Sequence, residues 1–350
     1  MALKTIRLDA EDPAERKKVI QWLQEGKIGA LPTETVYGLA GNATRSTVAD
    51  KIFRAKGRPA EDPLIVHVAS LDFAQSFGTF SEAAFRLGQT FWPGPLTLIV
   101  PKTNRIPSRV TAGGSTVALR NPSHKVMQQI LKDGKLALAA PSANSFGKLS
   151  PTRADHVLSQ LDGKIDFILD DGPTGWGLES TVLDVSQPNQ WRLYRPGPID
   201  LEEIQEWLRS KRFALCIEDC SHRPAAETHS HPLPSPGILA KHYAPHTALK
   251  LIQSAEVEDR ERAILQGKPW GLLKTGLSQN TSFTRNHPQI RHCSENGTMG
   301  SAGKHLYAHL HALDQRGYDL LYVELFPHEG LGAALNNRLF RAASDPKSKK

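Results

Sequence analysis

The sequence is poor in cysteine and has no long apolar run, and each shortage excludes a class of protein. Its three cysteines, Cys216, Cys220 and Cys293, are too few for a disulfide framework and suit a reducing compartment. No stretch approaches the roughly 20 apolar residues of a membrane-spanning helix. Residues 1–7 lack the apolar core of a signal peptide. We therefore expect a cytoplasmic protein that makes no contact with a membrane.

Charged residues are spread along the chain rather than gathered into one basic or acidic block. The formal net charge of +7 is compatible with a basic soluble protein or with weak attraction to nucleotides or RNA, and the even spread favours the former. A hydrophobic content of 39% and a charged content of 23% are typical of a globular protein. A length of 350 residues exceeds what a single core usually supports, which favours two domains.

An alternation of strand and helix patterns fills residues 13–208 and predicts an α/β sheet covered by helices. The predicted helices are 13–25, 47–55, 81–91, 124–131, 153–161 and 201–208. The predicted strands are 28–31, 64–68, 96–100, 117–120, 136–140, 167–170, and the pair 181–185 and 191–194. A smaller α/β pattern after residue 245 predicts strands 249–252, 270–273 and 320–325 and helices 302–316 and 332–343.

Residues 216–236 interrupt both patterns. The segment contains serine, histidine and four prolines without a helical stripe or strand alternation, which predicts an extended linker. The predicted division is a large domain over 1–212, a linker over 213–244 and a small α/β domain over 245–350. Residue types that bind zinc also occur in the linker: Cys216, Cys220, His222, His229 and His231. Their spacing fits no common zinc finger, so we predict no metal site there.

Four short motifs lie at the ends of apolar runs and share small hydroxyl residues, glycines or fixed cations. They are Leu-Pro-Thr-Glu-Thr-Val-Tyr-Gly-Leu at 31–39, Lys-Gly-Arg-Pro at 56–59, Phe-Trp-Pro-Gly-Pro-Leu-Thr at 91–97, and Pro-Ser-Ala-Asn at 141–144. Backbone N–H groups can approach an anion where no side chain blocks them, and lysine and arginine neutralise its charge. The motifs therefore predict a site for a phosphate-bearing ligand.

Lys56 and Arg58 are the cations of the second motif. They follow a predicted helix at positions i and i+2 of an extended turn, so both side chains can reach one polyphosphate. The alternative interpretation is a pair of solvated surface cations. Residues 172–177 are rich in glycine but lack the Gly-Lys-Ser/Thr ending of a phosphate-binding loop, which favours a flexible rim.

Polar side chains at strand ends predict the location of the site. Thr33 and Thr35 follow a predicted strand, where open α/β sheets bind ligands, although threonine is also common in ordinary turns. Arg120 ends an apolar strand, so its charge needs an anionic partner, either a structural carboxylate or a ligand. His67, also on a predicted strand, is compatible with a structural histidine whose ring is satisfied.

In this order, the motifs resemble those of the YrdC-type threonylcarbamoyl-adenylate synthases in their two-domain form. The resemblance runs from Gly29 to Arg195 and resumes at Ser-Pro-Gly (235–237) and Lys-His-Tyr-Ala-Pro (241–245). It implies a YrdC-like twisted open sheet with helices and a smaller, Rossmann-like C-terminal α/β domain. It also implies synthesis of L-threonylcarbamoyladenylate from L-threonine, bicarbonate and ATP, with release of pyrophosphate. The product would serve the threonylcarbamoyladenosine modification of tRNA at position 37, through a downstream transferase machinery.

The resemblance assigns this chain's residues to two substrates and gives Lys56 and Arg58 catalytic roles. The implied ATP contacts are Lys56, Arg58, Asp62, Thr116, Ser142, Asn144, Ser150, Arg195 and Tyr243. The implied threonine contacts are Thr35, His67, Arg120, Ala140 and Ser180. Within this set, Arg120 would grip the threonine carboxylate with both arms of its guanidinium.

The chain departs from the family pattern at two places. Asp62 stands where family members often have asparagine, which puts a direct ATP contact in question and offers a carboxylate that could hold Mg²⁺. Residues 238–240 are Ile-Leu-Ala where the family usually has Met-Lys-Tyr, so an aromatic contact is lost or moves to Tyr243. Ser150 is also compatible with a helix cap.

Two other functions fit parts of the sequence. An RNA-binding module would need cations spread over a surface, whereas the distinctive cations here converge in motifs. A carbamoyl-transfer domain of hydrogenase maturation shares the YrdC-like fold, but such proteins carry acylphosphatase and paired-cysteine zinc segments that this chain lacks. The proposed adenylation needs alignment and charge neutralisation more than a protein nucleophile. We further expect the linker to fold over the site as a lid.

Overall fold

A computed structural model describes residues 4–221, 233, 235, 242–277 and 287–343. They form two sheets, one of eleven strands and one of four, each flanked by helices. The expected α/β class with a large and a small sheet is confirmed.

The larger sheet is built from residues 6–219. Its strands are β1 (Ile6–Asp9), β2 (Gly29–Leu31), β3 (Gly38–Asn42), β4 (Ile65–His67), β5 (Leu96–Pro101), β6 (Thr116–Arg120), β7 (Leu138–Ala139), β8 (Phe167–Asp170), β9 (Thr181–Asp184), β10 (Gln190–Arg195) and β11 (Cys216–Asp219). Its helices are α1 (Pro13–Glu25), α2 (Ser46–Lys56), α3 (Leu71–Ala74), α4 (Glu82–Phe91), α5 (Lys125–Gly134), α6 (Ala154–Leu161) and α7 (Leu201–Ser210).

Local sequence signals fix several of these helices. The Asp12 side chain accepts a hydrogen bond from the Ala14 N–H and starts α1, which ends at Gly26 in the left-handed conformation. Ser81 caps α4 in the same way, through a bond from the Ala84 N–H. The apolar face of each helix then packs onto the sheet.

The strand order is β1-β8-β2-β3-β7-β4-β6-β5-β9-β10-β11, with parallel and antiparallel neighbours mixed. The register aligns one residue from each of five adjacent strands, β4, β6, β5, β9 and β10, in a single row across the sheet. In that row His67 pairs with Arg120, Arg120 with Thr97, Thr97 with Val182, and Val182 with Arg195. Residues paired directly across strands point to the same face, so this row brings polar side chains together.

The sequence analysis missed several elements and misjudged the start of the linker. β3, with the sequence Gly-Leu-Ala-Gly-Asn, has low strand propensity and is held by antiparallel pairing on both sides. Residues 216–219 form β11, parallel to β10, so the expected irregular structure is wrong there. β11 is an edge strand without a buried face, and it therefore lacks the apolar alternation that would have revealed it.

The small domain has a parallel four-stranded sheet in the order β12-β15-β13-β14, as expected of a Rossmann-like unit. Its strands are β12 (Leu249–Ile252), β13 (Trp270–Lys274), β14 (Ile290–His292) and β15 (Leu320–Glu324). Its helices are α8 (Val257–Leu265), α9 (Met299–Asp314) and α10 (Gly330–Ala343). The sequence analysis did not predict α8 or β14.

The two domains share one apolar cluster. Leu149 and Leu178 of the large domain pack with Tyr243 and with Leu306 and Leu335 from α9 and α10. The glycine-rich loop over residues 172–177 belongs to this contact, because a Cβ at Gly177 would meet the carbonyl oxygen of Lys304 at 2.5 Å. The end of the loop at Gly177 therefore packs against α9, whereas Gly172, Pro173 and Gly175 are exposed, and the flexibility of the rim stays a prediction.

No helix among the described residues is both long and apolar enough to cross a bilayer.

Two histidines stack where the domains meet. The rings of His156 and His311 lie 4.0 Å apart, and His311 Nε2 is 3.1 Å from the Ser150 carbonyl oxygen. Burial lowers the pKa of His156 to about 3 and that of His311 to about 4, from an ordinary 6.5. The unfolded chain therefore takes up protons that the folded protein excludes as the pH falls below 6.5.

We expect the free energy of unfolding to be highest above pH 6.5 and to fall as the pH approaches 4. Each of the two histidines should contribute a slope of up to about 1.4 kcal/mol per pH unit. Urea unfolding at a series of pH values measures this slope. The double change His156→Gln/His311→Gln should flatten it, because neither glutamine titrates. An unchanged slope in the double variant would contradict the assignment.

Candidate active site

A cavity open to solvent lies on the face of the sheet that carries the polar row. It is lined by Thr35, Val36, Arg58, Ile65, His67, Arg120, Ala140, Pro141, Ser142, Glu179, Ser180, Arg195, His242 and Tyr243. The implied threonine contacts all lie in this set, with four of the implied ATP contacts: Arg58, Ser142, Arg195 and Tyr243. Residues far apart in the chain thus converge, because neighbouring strands present their ends at one edge.

A second cavity, also open to solvent, lies beside the first. Thr116 lines this cavity and not the first one, together with Leu64, Ile99 and Leu233. Arg58, which lines the first cavity, donates a hydrogen bond from Nη2 to the carbonyl oxygen of Pro63, which lines the second, at 2.8 Å. The two cavities therefore meet at Arg58.

Lys56 is buried. The alternative interpretation of Lys56 as a solvated surface cation is therefore wrong. It ends α2, and Gly57 follows in the left-handed conformation with φ of 65°, which turns the chain toward Arg58. The Lys56 ammonium donates to the carbonyl oxygens of Ser142 and of Asn144, the latter at 2.6 Å. Burial, with help from Arg58, holds the Lys56 pKa well below its usual value. Lys56 thereby fixes the Pro-Ser-Ala-Asn loop against the site.

Arg58 is also buried, and its partner is Asp62. Arg58 Nη2 lies 2.8 Å from Asp62 Oδ1, and the two side chains are 4% and 0% exposed. Burial raises the Asp62 pKa, against the opposing effect of Arg58 and Lys56. A carboxylate that already faces two cations is a poor ligand for Mg²⁺, and the described residues contain no cluster of three or more His, Cys, Asp or Glu side chains able to hold a metal ion. The suggested Mg²⁺ role of Asp62 is therefore unsupported.

Arg120 has a protein partner in this structure. Its Nη2 lies 2.7 Å from Glu34 Oε1, and its Nη1 donates to Thr35 Oγ1 at 3.0 Å. Burial alone would raise the Glu34 pKa, but Arg120 reverses the effect and the pKa lies below its usual value. Of the two partners left open by the sequence, the structural carboxylate is therefore present, and a threonine contact stays a prediction.

His67 lies beside Arg120 with its ring almost fully buried. Neither ring nitrogen has a hydrogen-bond partner among the described residues, so the ring is not the satisfied structural histidine considered above. Burial, with Arg120 nearby, holds the His67 pKa well below its usual value. The neutral ring offers one donor and one acceptor to a ligand in the cavity.

Ser180 and Arg195 form the opposite wall. Arg195 donates from Nε to the Ser180 carbonyl oxygen at 3.0 Å and from Nη2 to Ser180 Oγ at 3.1 Å. Ser180 Oγ also lies 2.7 Å from Thr97 Oγ1. Thr97 was not among the predicted residues, although the strand register places it in the same row as Arg120.

Ser150 and Asn144 do not line either cavity. The Ser150 hydroxyl donates to Glu179 Oε1, and the residue that precedes α6 is Arg153, so the alternative of Ser150 as a helix cap is wrong. The Asn144 amide donates to the carbonyl oxygens of Ser145 and Lys148 at 2.8 and 2.9 Å, which shapes the adjacent turn. Direct contacts of either residue with ATP stay predictions.

Glu179 and His242 line the first cavity but were not predicted. Glu179 is held from the small domain, where Arg338 Nε lies 2.8 Å from its Oε2. Local sequence patterns gave no signal for this pair. His242 precedes Tyr243, and the two rings lie 4.1 Å apart at the edge of the cavity. The position of His242 within the Lys-His-Tyr-Ala-Pro motif was the one signal available for it.

The linker is described at only a few positions. Leu233 donates its N–H to the Glu61 carbonyl oxygen at 2.9 Å and lines the second cavity. Residues 236–241, with the Ile-Leu-Ala departure, lie outside the described residues, as do the zinc candidates His222, His229 and His231. Cys216 is exposed and Cys220 is buried, and neither forms a disulfide bond with another described residue.

Comparison with known proteins covers both domains. Residues 21–197 match the model of the Sua5, YciO and YrdC proteins, which is described as telomere recombination. Residues 199–344 match the model described as the threonylcarbamoyl-AMP synthase C-terminal domain.

Full-length relatives and a solved structure agree with these matches. The chain is 36% identical to a threonylcarbamoyl-AMP synthase of Bacillus subtilis, over 97% of this chain and 95% of the relative. It is 35% identical to the Pyrococcus abyssi protein of the same description, over 94% and 96%. The crystal structure of P. abyssi Sua5 complexed with L-threonine covers 97% of both chains with a TM-score of 0.83 and 33% identity.

The buried Arg58–Asp62 pair makes a testable contribution to stability. Arg58→Ala should lower the free energy of unfolding by about 3–5 kcal/mol, because it leaves the Asp62 carboxylate buried without its main partner. Arg58→Ala/Asp62→Asn should recover part of that loss. Urea unfolding measures both.

The matched control is Arg109→Ala, which breaks an ion pair to Asp50 whose side chains are 30% and 46% exposed. Its loss should stay within about 1 kcal/mol. An Arg58→Ala protein as stable as the Arg109→Ala control would show that the Arg58–Asp62 pair contributes little.

Proposed function

We propose that the two neighbouring cavities hold threonine and ATP, because this chain belongs to the family of two-domain Sua5/YrdC-type threonylcarbamoyl-AMP synthases. The protein is an enzyme that makes threonylcarbamoyl-AMP for the threonylcarbamoyladenosine modification of tRNA. The observation that carries the assignment of the site is the row His67, Arg120, Thr97 and Arg195 across adjacent strands.

Threonine occupies the end of the cavity at Arg120 in this proposal. Its carboxylate shares the Arg120 guanidinium with Glu34, beside the Thr35 hydroxyl. The neutral His67 ring, which has no partner among the described residues, is available to pair with the threonine hydroxyl or amine. Ser180 and Ala140 close this part of the cavity.

ATP occupies the end at Arg58 and Arg195, with its nucleoside toward the second cavity. The face between the two cavities is apolar, formed by Ile65, Ile99 and Ala118, which suits an adenine ring. Arg58 and Arg195 supply positive charge where the phosphates lie. Thr116 in the second cavity and Ser142 in the first support this placement.

The reaction then needs alignment of three substrates. The threonine amine attacks bicarbonate, water is lost, and an N-carboxy anion forms. A carboxylate oxygen of that anion attacks the α-phosphorus of ATP, the bond between the α-phosphorus and the bridging oxygen breaks, and pyrophosphate leaves. Arg58 and Arg195 neutralise charge on the phosphates, and Lys56 fixes the loop that bears Ser142. Mg²⁺ would enter with ATP, because Asp62 is already paired.

The chemistry of the product indicates the cellular setting. A mixed carbamic–phosphoric anhydride hydrolyses readily, so a transferase must consume it, and we propose transfer to the tRNA-modification machinery in the cytoplasm. The RNA-binding alternative is disfavoured, because Lys56, Arg58 and Arg195 are buried rather than spread over a surface.

We also propose that the linker over 213–244 closes the site between domains 1–212 and 245–350. Leu233 lines the second cavity, and His242 and Tyr243 line the first. These three described positions of the linker support the proposal that the linker covers the bound substrates.

Purified protein with ATP, bicarbonate and threonine should release pyrophosphate and form the adenylate. Threonine should be used in preference to 2-aminobutyrate, because groups placed to pair with the hydroxyl are left without a partner by an analogue that lacks it. Pyrophosphate assay and mass spectrometry of the nucleotide products measure both. Release that is equal with and without threonine would contradict the proposed function.

A further inference from the structure

Glu179 is a charged residue of the cavity that no part of the proposed reaction uses. It lies two residues before β9, is 5% exposed, and receives hydrogen bonds from both domains. Ser150 Oγ donates to it from the large domain, and Tyr307 OH lies 3.2 Å from each of its oxygens. Burial alone would raise the Glu179 pKa, but Arg338 and Arg195 reverse the effect and the pKa lies below its usual value. Glu179 is therefore ionised.

Two arginines act on the Glu179 carboxylate, one through an ion pair and one through its charge alone. Arg338 from α10 holds it, with Nε at 2.8 Å from Oε2 and the side chains 1% and 6% exposed. Arg195, which faces the ATP end of the cavity, is the other guanidinium that acts on Glu179 electrostatically. The described residues show no ion pair between Glu179 and Arg195; Arg195 bonds instead to Ser180.

Arg338 also fixes the chain next to Arg195. Its Nη2 donates to the carbonyl oxygen of Pro196 at 2.9 Å, and its Nη1 donates to Asn337 Oδ1 at 3.1 Å. The planar guanidinium of Arg338 thus donates from one nitrogen to Glu179 and from another to the carbonyl oxygen of Pro196, the residue after Arg195. This geometry sets the separation between the carboxylate and Arg195, and the single ammonium of a lysine cannot reproduce it.

We propose that Arg338 is a positioning residue, which holds the Glu179 carboxylate on the small-domain side and so keeps the Arg195 guanidinium available for the phosphates of ATP. This inference rests on the proposed function, in which Arg195 contacts ATP. Without Arg338, Glu179 pairs with Arg195 and neutralises it, because a buried carboxylate takes the remaining cation. The small domain therefore contributes to nucleotide affinity through one charge that never touches the nucleotide.

The test measures Michaelis constants for ATP and threonine in full-length variants. Arg338→Gln should raise the constant for ATP by about tenfold and that for threonine by less than about twofold, because one charge-assisted contact to ATP is lost. Adding Glu179→Gln removes the competing charge. Glu179→Gln/Arg338→Gln should therefore return the constant for ATP to within about threefold of the wild-type value.

A rise confined to the ATP constant distinguishes positioning from support of the fold, because a merely structural loss of the buried pair would lower the thermal midpoint and change both Michaelis constants alike. The control is Asp314→Asn on α9, whose carboxylate accepts bonds from the N–H groups of His246 and Thr247, neither of which lines the cavity. Its thermal midpoint should fall while both Michaelis constants stay at wild-type values.

The failure modes of the two proposals differ. If the wild-type protein shows no threonine-dependent release of pyrophosphate, the proposed function fails. If the wild type is active but Arg338→Gln leaves the ATP constant unchanged, or Glu179→Gln does not reverse its rise, the positioning role of Arg338 is overturned. Should Arg338→Gln not fold, the same rise and reversal are required of Arg338→Met, which also removes the charge, and their absence there overturns the role as well.

Discussion

The guanidinium groups of Arg58, Arg120 and Arg338 are almost entirely removed from water, and each faces one carboxylate. The pairs are Arg58–Asp62, Arg120–Glu34 and Arg338–Glu179, at 2.8, 2.7 and 2.8 Å. Charges so deeply buried are tolerated only when they are paired and hydrogen-bonded. Arg58, Arg120 and Glu179 from these pairs line the first cavity. The requirement that buried charges be paired therefore also determines which charged groups face a ligand in that cavity.

The same constraint links the small domain to the chemistry. Glu179 belongs to the large domain, yet its main partners, Arg338 and Tyr307, come from α10 and α9. Tyr243, at the end of the linker, lies with its ring 5.2 Å from the Arg338 guanidinium and within the cluster that joins the domains. The small domain, whose own sheet lies apart from the cavity, therefore acts on the site through side chains of two helices.

Most of the fold could be predicted because the signals are local. Helices such as α1 and α4 carry caps and apolar spacing that belong to their own residues. β3 and β11 could not be predicted, because pairing with neighbours holds them and their own residues favour no strand. Within the site, Arg120 was recognisable as a strand-end cation, but its partner Glu34 was not assigned. The Glu179–Arg338 pair joins residues 159 positions apart, and no local pattern records such a contact.

We propose that Arg120, paired with Glu34 in this structure, receives the threonine carboxylate. Michaelis constants for threonine and ATP should be compared in Arg120→Ala and in the control Arg86→Ala, which breaks an exposed ion pair to Glu82. We expect Arg120→Ala to raise the threonine constant by at least about tenfold with little change for ATP, since a charge-assisted contact to one substrate is lost. A rise for ATP alone, or equal behaviour of the two variants, would be incompatible with this assignment.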